Sequence, residues 1–258
     1  MKRVYISYVM GLALLFASCH STSRVFQPNY EILSAKGVAI PIDSTWEDTS
    51  DQRSTAILKP YKETIDRQMR EVIGVSEERM MKGKPESLLS NLVADVIREA
   101  AAQVLGISAD VGLVNDGGLR NILPKGEITT GTVYEILPFE NSLCVLTIKG
   151  LYLKDMLQAV ASLHGEGISG VRLTISNDGR LLEASIHGQS IKDDQIYTVA
   201  TIDYLADGNG RMRALLHAEN RVCPQGLVLR NLFIDYIRKQ TALGKTIGSR
   251  LDGRIVIQ

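Results

Sequence analysis

The chain has 258 residues, with 29 basic and 29 acidic side chains, 45% hydrophobic residues, three cysteines and four histidines. Such a charge balance gives no general attraction for nucleic acid or for an anionic membrane surface, and so few histidines restrict the metal chemistry the chain can support.

Met1 to Arg3 is a basic start, Val4 to Leu15 (VYISYVMGLALL) is an apolar run, and Phe16 to Cys19 (FASC) closes it with small residues and a cysteine. This is a secretory signal rather than a spanning helix, because nothing that follows is apolar enough to halt transfer. It resembles a bacterial lipoprotein signal, in which residues 1–18 are removed and Cys19 becomes the acylated first residue; Phe16 departs from the leucine that is commonest there. Several acyl chains at one cysteine fix a protein firmly to a bilayer. The resemblance implies an exported, cell-envelope protein, anchored to a bacterial membrane on its periplasmic or surface side. Without Lys2 and Arg3 the charge is 27 basic against 29 acidic residues, a formal balance of minus two. Cys144 and Cys223 then remain; export gives them oxidising surroundings, but two cysteines do not establish a bridge, and the stretch SLCVLTI suggests that Cys144 is buried apolar filling.

Residues 19–54 read as a lipid tether and N-terminal extension, and residues 55–258 as the domain proper. Thr55 to Val75 carries Ile57, Leu58, Tyr61, Ile65, Met69 and Ile73 at the spacing of an amphipathic helix, with Pro60 near its start. A second helical pattern runs from Glu86 to Leu105, with Leu88, Leu89, Leu92, Val93, Val96 and Ile97 on its packed face. Both helices precede everything that reads as sheet. Ala109 to Val114 is a short strand; Thr130 caps a short helix that Pro138 ends; Ser142 to Ile148 is a stronger strand; Leu151 to Leu163 resumes helical spacing. VRLTIS, NDG and RLLEASI form a hairpin in which Asp178 and Gly179 supply the left-handed turn positions. The strand YTVATI, a helix from Leu227 to Gln240 with Leu229, Leu232, Phe233 and Tyr236 turned inward, and the strand RIVIQ complete the order. The pattern is an α+β domain with a mixed or largely antiparallel sheet and packed helices, large enough for a single core.

The stretch NDGGLR at Asn115 to Arg120 concentrates polar function after an apolar run. Gly117 and Gly118 permit backbone geometry and close approach that other residues resist, Arg120 offers a fork of donors, and Asn115 has a donor and an acceptor suited to a heterocycle edge. Two readings stand open from these residues alone: a tight turn with a surface arginine, or a loop that holds a guanidinium over a bound anion.

Taken with ESLLSNLVAD from Glu86, ILPFENSLCVLTIKG from Ile136, TIDYLADGNG from Thr201 and the terminal DGRI, this loop resembles the C-terminal, substrate-binding domain of the 5'-nucleotidase family over roughly residues 57 to 258. The resemblance implies that Arg120 contacts substrate phosphate and Asn115 the base, and that Phe139 and Tyr204 form the two sides of an aromatic clamp. Where the family usually reads G-G-D-G, with an aspartate on the ribose, this chain has Asp207-Gly208-Asn209-Gly210. Either Asn209 replaces the aspartate without its charge assistance, or Asp207 reaches in from a reshaped loop. Ahead of ESLLSNL, where several nucleotidases place another substrate-facing arginine, Lys82 and Lys84 are the available replacements.

Complete family members hydrolyse phosphoesters in a separate metallophosphatase domain marked by D-x-H, G-N-H-E and G-H-x-H, where two metals activate water. None of these motifs occurs in this sequence, and His20, His164, His187 and His217 stand isolated. There is no G-x-S-x-G elbow, and Glu86 and Asp95 read as capping or pairing residues. No catalytic or metal residue and no cofactor is therefore expected in this chain. The resemblance implies a nucleoside monophosphate or related nucleotide as ligand, and a separate metallophosphatase chain carrying the divalent metals; the alternatives are a non-catalytic nucleotide- or nucleoside-binding surface lipoprotein, or a structural lipoprotein with a decayed pocket.

Overall fold

The computed structural model describes Ser34, residues 36–43 and residues 52–258. The signal at 1–18, Cys19 and most of the tether expected over 19–54 lie outside the described residues. The chain divides into two compact units, Met1–Asp51 and Gln52–Gln258. In the first, the described residues are exposed and form no helix or strand. The second contains the elements below, and no helix among the described residues is long and apolar enough to cross a membrane.

Helix α1 (Gln52–Met69) buries none of its residues. Ile57, Leu58, Tyr61 and Ile65, expected as one amphipathic face, are all exposed, because among the elements of this unit the helix packs on the short helix α4. The predicted helix also stops early. Val72–Ser76 (VIGVS) is a strand, β1, whose β-branched residues suit an extended backbone and whose Ile73 is buried in the core. Gly74 sits against helix α7, where a Cβ would lie 2.6 Å from Ile237 and 2.7 Å from Thr241. The second predicted helix breaks into α2 (Leu88–Ala100), capped by Ser87, and the single turn α3 (Ala102–Leu105).

The remaining elements are β2 (Val111–Val114), β3 (Gly126–Thr129), α4 (Thr130–Ile136), β4 (Leu143–Lys149), α5 (Gly150–Ser162), β5 (Gly167–Ser169), β6 (Val171–Ile175), β7 (Leu181–Ile186), β8 (Gln189–Ser190), β9 (Ile196–Ile202), α6 (Asp203–Ala206), β10 (Asn220–Val222), α7 (Leu229–Ala242) and β11 (Ile255–Ile257). The cap of α4 is Thr129 rather than Thr130, with a reciprocal Thr129–Thr132 capping box. The β6–β7 hairpin forms, but only Gly179 of its turn has positive φ; Asp178 instead accepts from the Ser176 hydroxyl and pairs with Arg180.

The strands build a five-stranded sheet ordered β10-β4-β9-β2-β5, a four-stranded sheet β11-β6-β7-β8 and the pair β1-β3. In the five-stranded sheet β2 and β9 run parallel and the other pairings are antiparallel, so the sheet is mixed. Helix α2 packs on β2, β5 and β9 and against α7, while α5 packs on β4, β6, β7 and β9. Cys144 on β4 is fully buried, as its apolar surroundings suggest, and it is also bonded to Cys223 just beyond β10.

The chain terminus closes back on α2. Arg254 is buried and forks onto Asp95, with Nη1 to Oδ1 and Nη2 to Oδ2 both at 2.8 Å, while its Nε reaches Asp252 at 3.0 Å. Glu86 accepts from the backbone amides of Asp252 and Arg254 at 2.9 and 3.0 Å. The carboxylates of ESLLSNLVAD thus pair with DGRI, which accounts for two sequence stretches through one contact.

Candidate functional site

Three chain segments leave the elements around the five-stranded sheet and meet at one open cleft of about 300 Å3, lined by Asn115, Gly117, Gly118, Phe139, Asn141 and Tyr204. Asn115 to Gly118 follow β2, Phe139 and Asn141 lie between α4 and β4, and Tyr204 follows β9 on α6. Val114, Leu137, Ile202 and Leu229 line an adjoining apolar recess that Asn115, Phe139 and Asn141 share.

Phe139 is 48% and Tyr204 44% exposed, so each leaves nearly half its surface to solvent at the cleft instead of in the core. Such rings offer flat apolar faces to a planar ligand. Phe139 sits on a turn held from behind by Arg230 of α7, which donates to the Leu137 and Pro138 carbonyls at 3.3 and 3.2 Å and lies 4.2 Å over the Tyr134 ring. Buried Leu205 anchors the turn that carries Tyr204. The Arg120 guanidinium stands 6.0 Å from the centre of the Phe139 ring, with one bond to the Gly117 carbonyl at 3.3 Å. Among the described residues no carboxylate pairs with it, which leaves its donors available to an anion.

The two loop glycines serve space rather than a left-handed turn. Neither has positive φ, and a Cβ at either would come within 3.2 Å of the Asn115 side-chain amide. Asp116 faces away from the cleft into a polar cluster. Ser90 donates to its Oδ1 at 2.6 Å, Lys84 lies 3.6 Å from its Oδ2, Lys82 donates to its carbonyl at 3.0 Å, and its amide donates to Glu166 Oε2 at 2.5 Å. Lys82 also donates to the Leu119 carbonyl at 2.6 Å. Lys82 and Lys84, expected as replacements for a substrate-facing arginine, thus grip the loop. Burial pushes the Glu166 carboxyl above the usual carboxylate range, against the Asp116 amide and the Lys84 ammonium, which lower it.

The remaining expected residues stand apart. Asp207 pairs with Arg221 of β10 at 2.6 Å, and neither Asp207 nor Asn209 is among the residues lining the cleft; Arg120 is not among them either and stands beside the cleft at the Phe139 ring. Asn141, Arg230 and Glu166 had no role assigned from sequence; Asn141 was findable as the asparagine of LPFEN, whereas the other two act across long sequence distances. Among the described residues no group of three or more histidine, cysteine, aspartate or glutamate side chains could hold a metal ion. His217 stacks on Tyr152 at 4.4 Å, and His164 Nε2 donates to the Asn177 carbonyl at 3.1 Å.

Fold and cleft together define the class: an α+β domain with a mixed sheet whose connecting loops gather aromatic and amide groups at one open cleft, with a guanidinium beside it. The chain belongs to the family described as 5'-nucleotidase, C-terminal domain, which matches residues 72–217. It is similar to Endonuclease YhcR of Bacillus subtilis (strain 168), 33% identical over 168 residues that cover 62% of this chain and 13% of the relative. Over 239 residues it is 26% identical to the Trifunctional nucleotide phosphoesterase protein YfkN of the same organism, covering 84% of this chain and 16% of the relative. The crystal structure of a 5'-nucleotidase precursor from Thermus thermophilus matches 81% of this chain with a TM-score of 0.68 and 26% identity. The chain spans 43% of that structure's length, and far less of the two Bacillus proteins.

Proposed function

We propose that this chain is the nucleotide-binding half of a split 5'-nucleotidase-type phosphohydrolase, and that a separate metallophosphatase chain supplies the divalent metals and the attacking water. The observation that carries this reading is the cleft itself, where two half-exposed rings, Phe139 and Tyr204, and the Asn115 amide line one space beside a guanidinium that has no carboxylate partner among the described residues. A base lies between the rings, Asn115 reads its edge, and Arg120 takes the phosphate. Each stacked face contributes on the order of 1–3 kcal/mol, by analogy with single-strand binders. With Asp207 held by Arg221, charge-assisted contact to the ribose is reduced. The nucleotide phosphoesterase and 5'-nucleotidase named above support the substrate class, since this chain aligns with part of each. Acylation at Cys19 would tether the chain to the membrane, and a partner on the same membrane would meet it at high effective concentration.

Calorimetry with adenosine and AMP tests the site. Phe139→Ala weakens both ligands, by roughly 5- to 150-fold, whereas Arg120→Met weakens AMP far more than adenosine. Equal AMP affinity in the original protein and both variants refutes the site. Release of phosphate from AMP by the purified chain alone with divalent metals, once contaminating phosphatase is excluded, refutes the split arrangement.

A further inference from the structure

We infer that Glu166 is a positioning residue: with Lys84 it locks Asp116 and so sets the Asn115–Arg120 loop at the mouth of the cleft. Strands β2 and β5 pair antiparallel with Val114 opposite Gly167, so the ladder ends just where Glu166 faces the loop. Glu166 continues the connection with its side chain, since Oε2 accepts the Asp116 amide at 2.5 Å. Lys84 sits between the two carboxylates, 3.4 Å from Glu166 Oε1 and 3.6 Å from Asp116 Oδ2, and also donates to the Gly165 carbonyl. Ser90 and Lys82 hold the last two polar atoms of Asp116, Oδ1 and the carbonyl. All four polar atoms of Asp116 are therefore engaged from behind the loop. Its neighbours, Asn115 and Gly117, are left facing the cleft.

The platform under Glu166 is closely packed. Gly165 has φ of +119°, and a Cβ there would lie 2.1 Å from the Pro85 carbonyl, so the backbone passes Pro85 too closely for any other residue. The Glu166 side chain is only 9% exposed and that of Asp116 12%. Two carboxylates this buried and this close repel each other, and Lys84 offsets that repulsion only while it stays between them. The charged groups facing Glu166 are Lys84 from the β1–α2 connection and Asp116 from the loop after β2, with Lys82 on the far side of Asp116. Protonation of Glu166 weakens the acceptor for the Asp116 amide and frees Lys84 from one partner. Loop geometry is then coupled to the charge on Glu166, and the consequence for a nucleotide rests on the function proposed above.

The test uses the whole protein and Glu166→Gln, which keeps an acceptor oxygen and the side-chain shape but removes the charge. In ligand-free protein, the backbone amide resonances of Asp116, Gly117 and Gly118 are expected to move with the titration of Glu166 and to lose that movement in E166Q. Adenosine, which carries no phosphate titrating near pH 6, is the binding probe. Its affinity is expected to be about tenfold lower for E166Q at neutral pH, as for loss of one charge-assisted bond, and to fall for the original protein as the pH is lowered. A merely structural role for Glu166 predicts lower thermal stability in E166Q and unchanged adenosine affinity in the folded variant; that result overturns the inference. Identical amide titrations in the two proteins overturn it as well. An original protein that binds neither adenosine nor AMP removes the proposed function, and the amide titration then decides the positioning role on its own.

Discussion

Replacing Arg254 with methionine keeps the apolar stem and removes the guanidinium that joins the chain terminus to α2. The change deletes two bonds of 2.8 Å to Asp95, one of 3.0 Å to Asp252, one of 2.8 Å to the Ile168 carbonyl and a longer one of 3.3 Å to the Asn91 carbonyl. Bonds to charged groups contribute about 1.5–3 kcal/mol each, but desolvation of the ions offsets much of that sum, and breaking a buried pair costs roughly 3–5 kcal/mol in practice. Asp95 keeps 39% of its side-chain surface exposed and can rehydrate, whereas the Ile168 carbonyl loses a close partner. The lower end follows, about 3 kcal/mol, which is a large fraction of a typical stability of about 5–15 kcal/mol. For a unit of this size that corresponds to a fall in melting temperature of roughly 6–12 °C. Urea unfolding followed by circular dichroism measures the change, and a double-mutant cycle with Asp95→Asn isolates the pair. A variant within about 0.5 kcal/mol of the original protein would show that desolvation already cancels the pair, and that the terminus is held closed by other contacts.

Reducing the Cys144–Cys223 bridge frees a segment defined by a sequence separation of 79, and the loop-entropy account assigns about 4.5 kcal/mol to that constraint. Denaturation midpoints with and without reductant check this, and coincident curves would remove the bridge from the stabilising contacts. Gly150→Ala would put a Cβ 2.0 Å from the Lys192 carbonyl, a backbone contact that cannot yield cheaply; a loss of roughly 1–3 kcal/mol is expected in chemical unfolding, and an unaltered midpoint would contradict the close approach. The raised Glu166 carboxyl means that the folded state binds its proton more tightly than the unfolded state does. Its contribution to stability is therefore largest at and below the ordinary value of 4.5, declines as pH rises through the raised folded value, and is flat above it. Stability of the original protein minus that of E166Q should follow this downward course in pH-dependent unfolding, and a difference that grows with pH would reverse the sign.

Long periodic helices were the most readable elements. In α2 and α7 the apolar spacing identified the packed faces, with Leu89, Leu92, Val93, Val96 and Ile97 buried on the first and Leu229, Leu232 and Phe233 on the second. The same criterion misled at β1, because Met69 and Ile73 extend the spacing of the preceding residues although the backbone has already become a strand. Strands β5, β8 and β10 have only two or three residues each, too few to show an alternating pattern. In the cleft, Asn115, Phe139 and Tyr204 were visible because each belongs to a recognisable local stretch. Glu166 and Arg230 were not, since they act on Asp116 and Pro138 from positions 50 and 92 residues away, and only folding brings those pairs together.

The parallel pairing of β11 with β6, and the reach of Arg254 back to Asp95 across 159 positions, bear on biosynthesis. A nascent chain emerges from its amino end, so α2 is complete long before its partner exists. The ribosome must pass position 254 before this closure can form, and a stop codon there would remove the guanidinium together with strand β11.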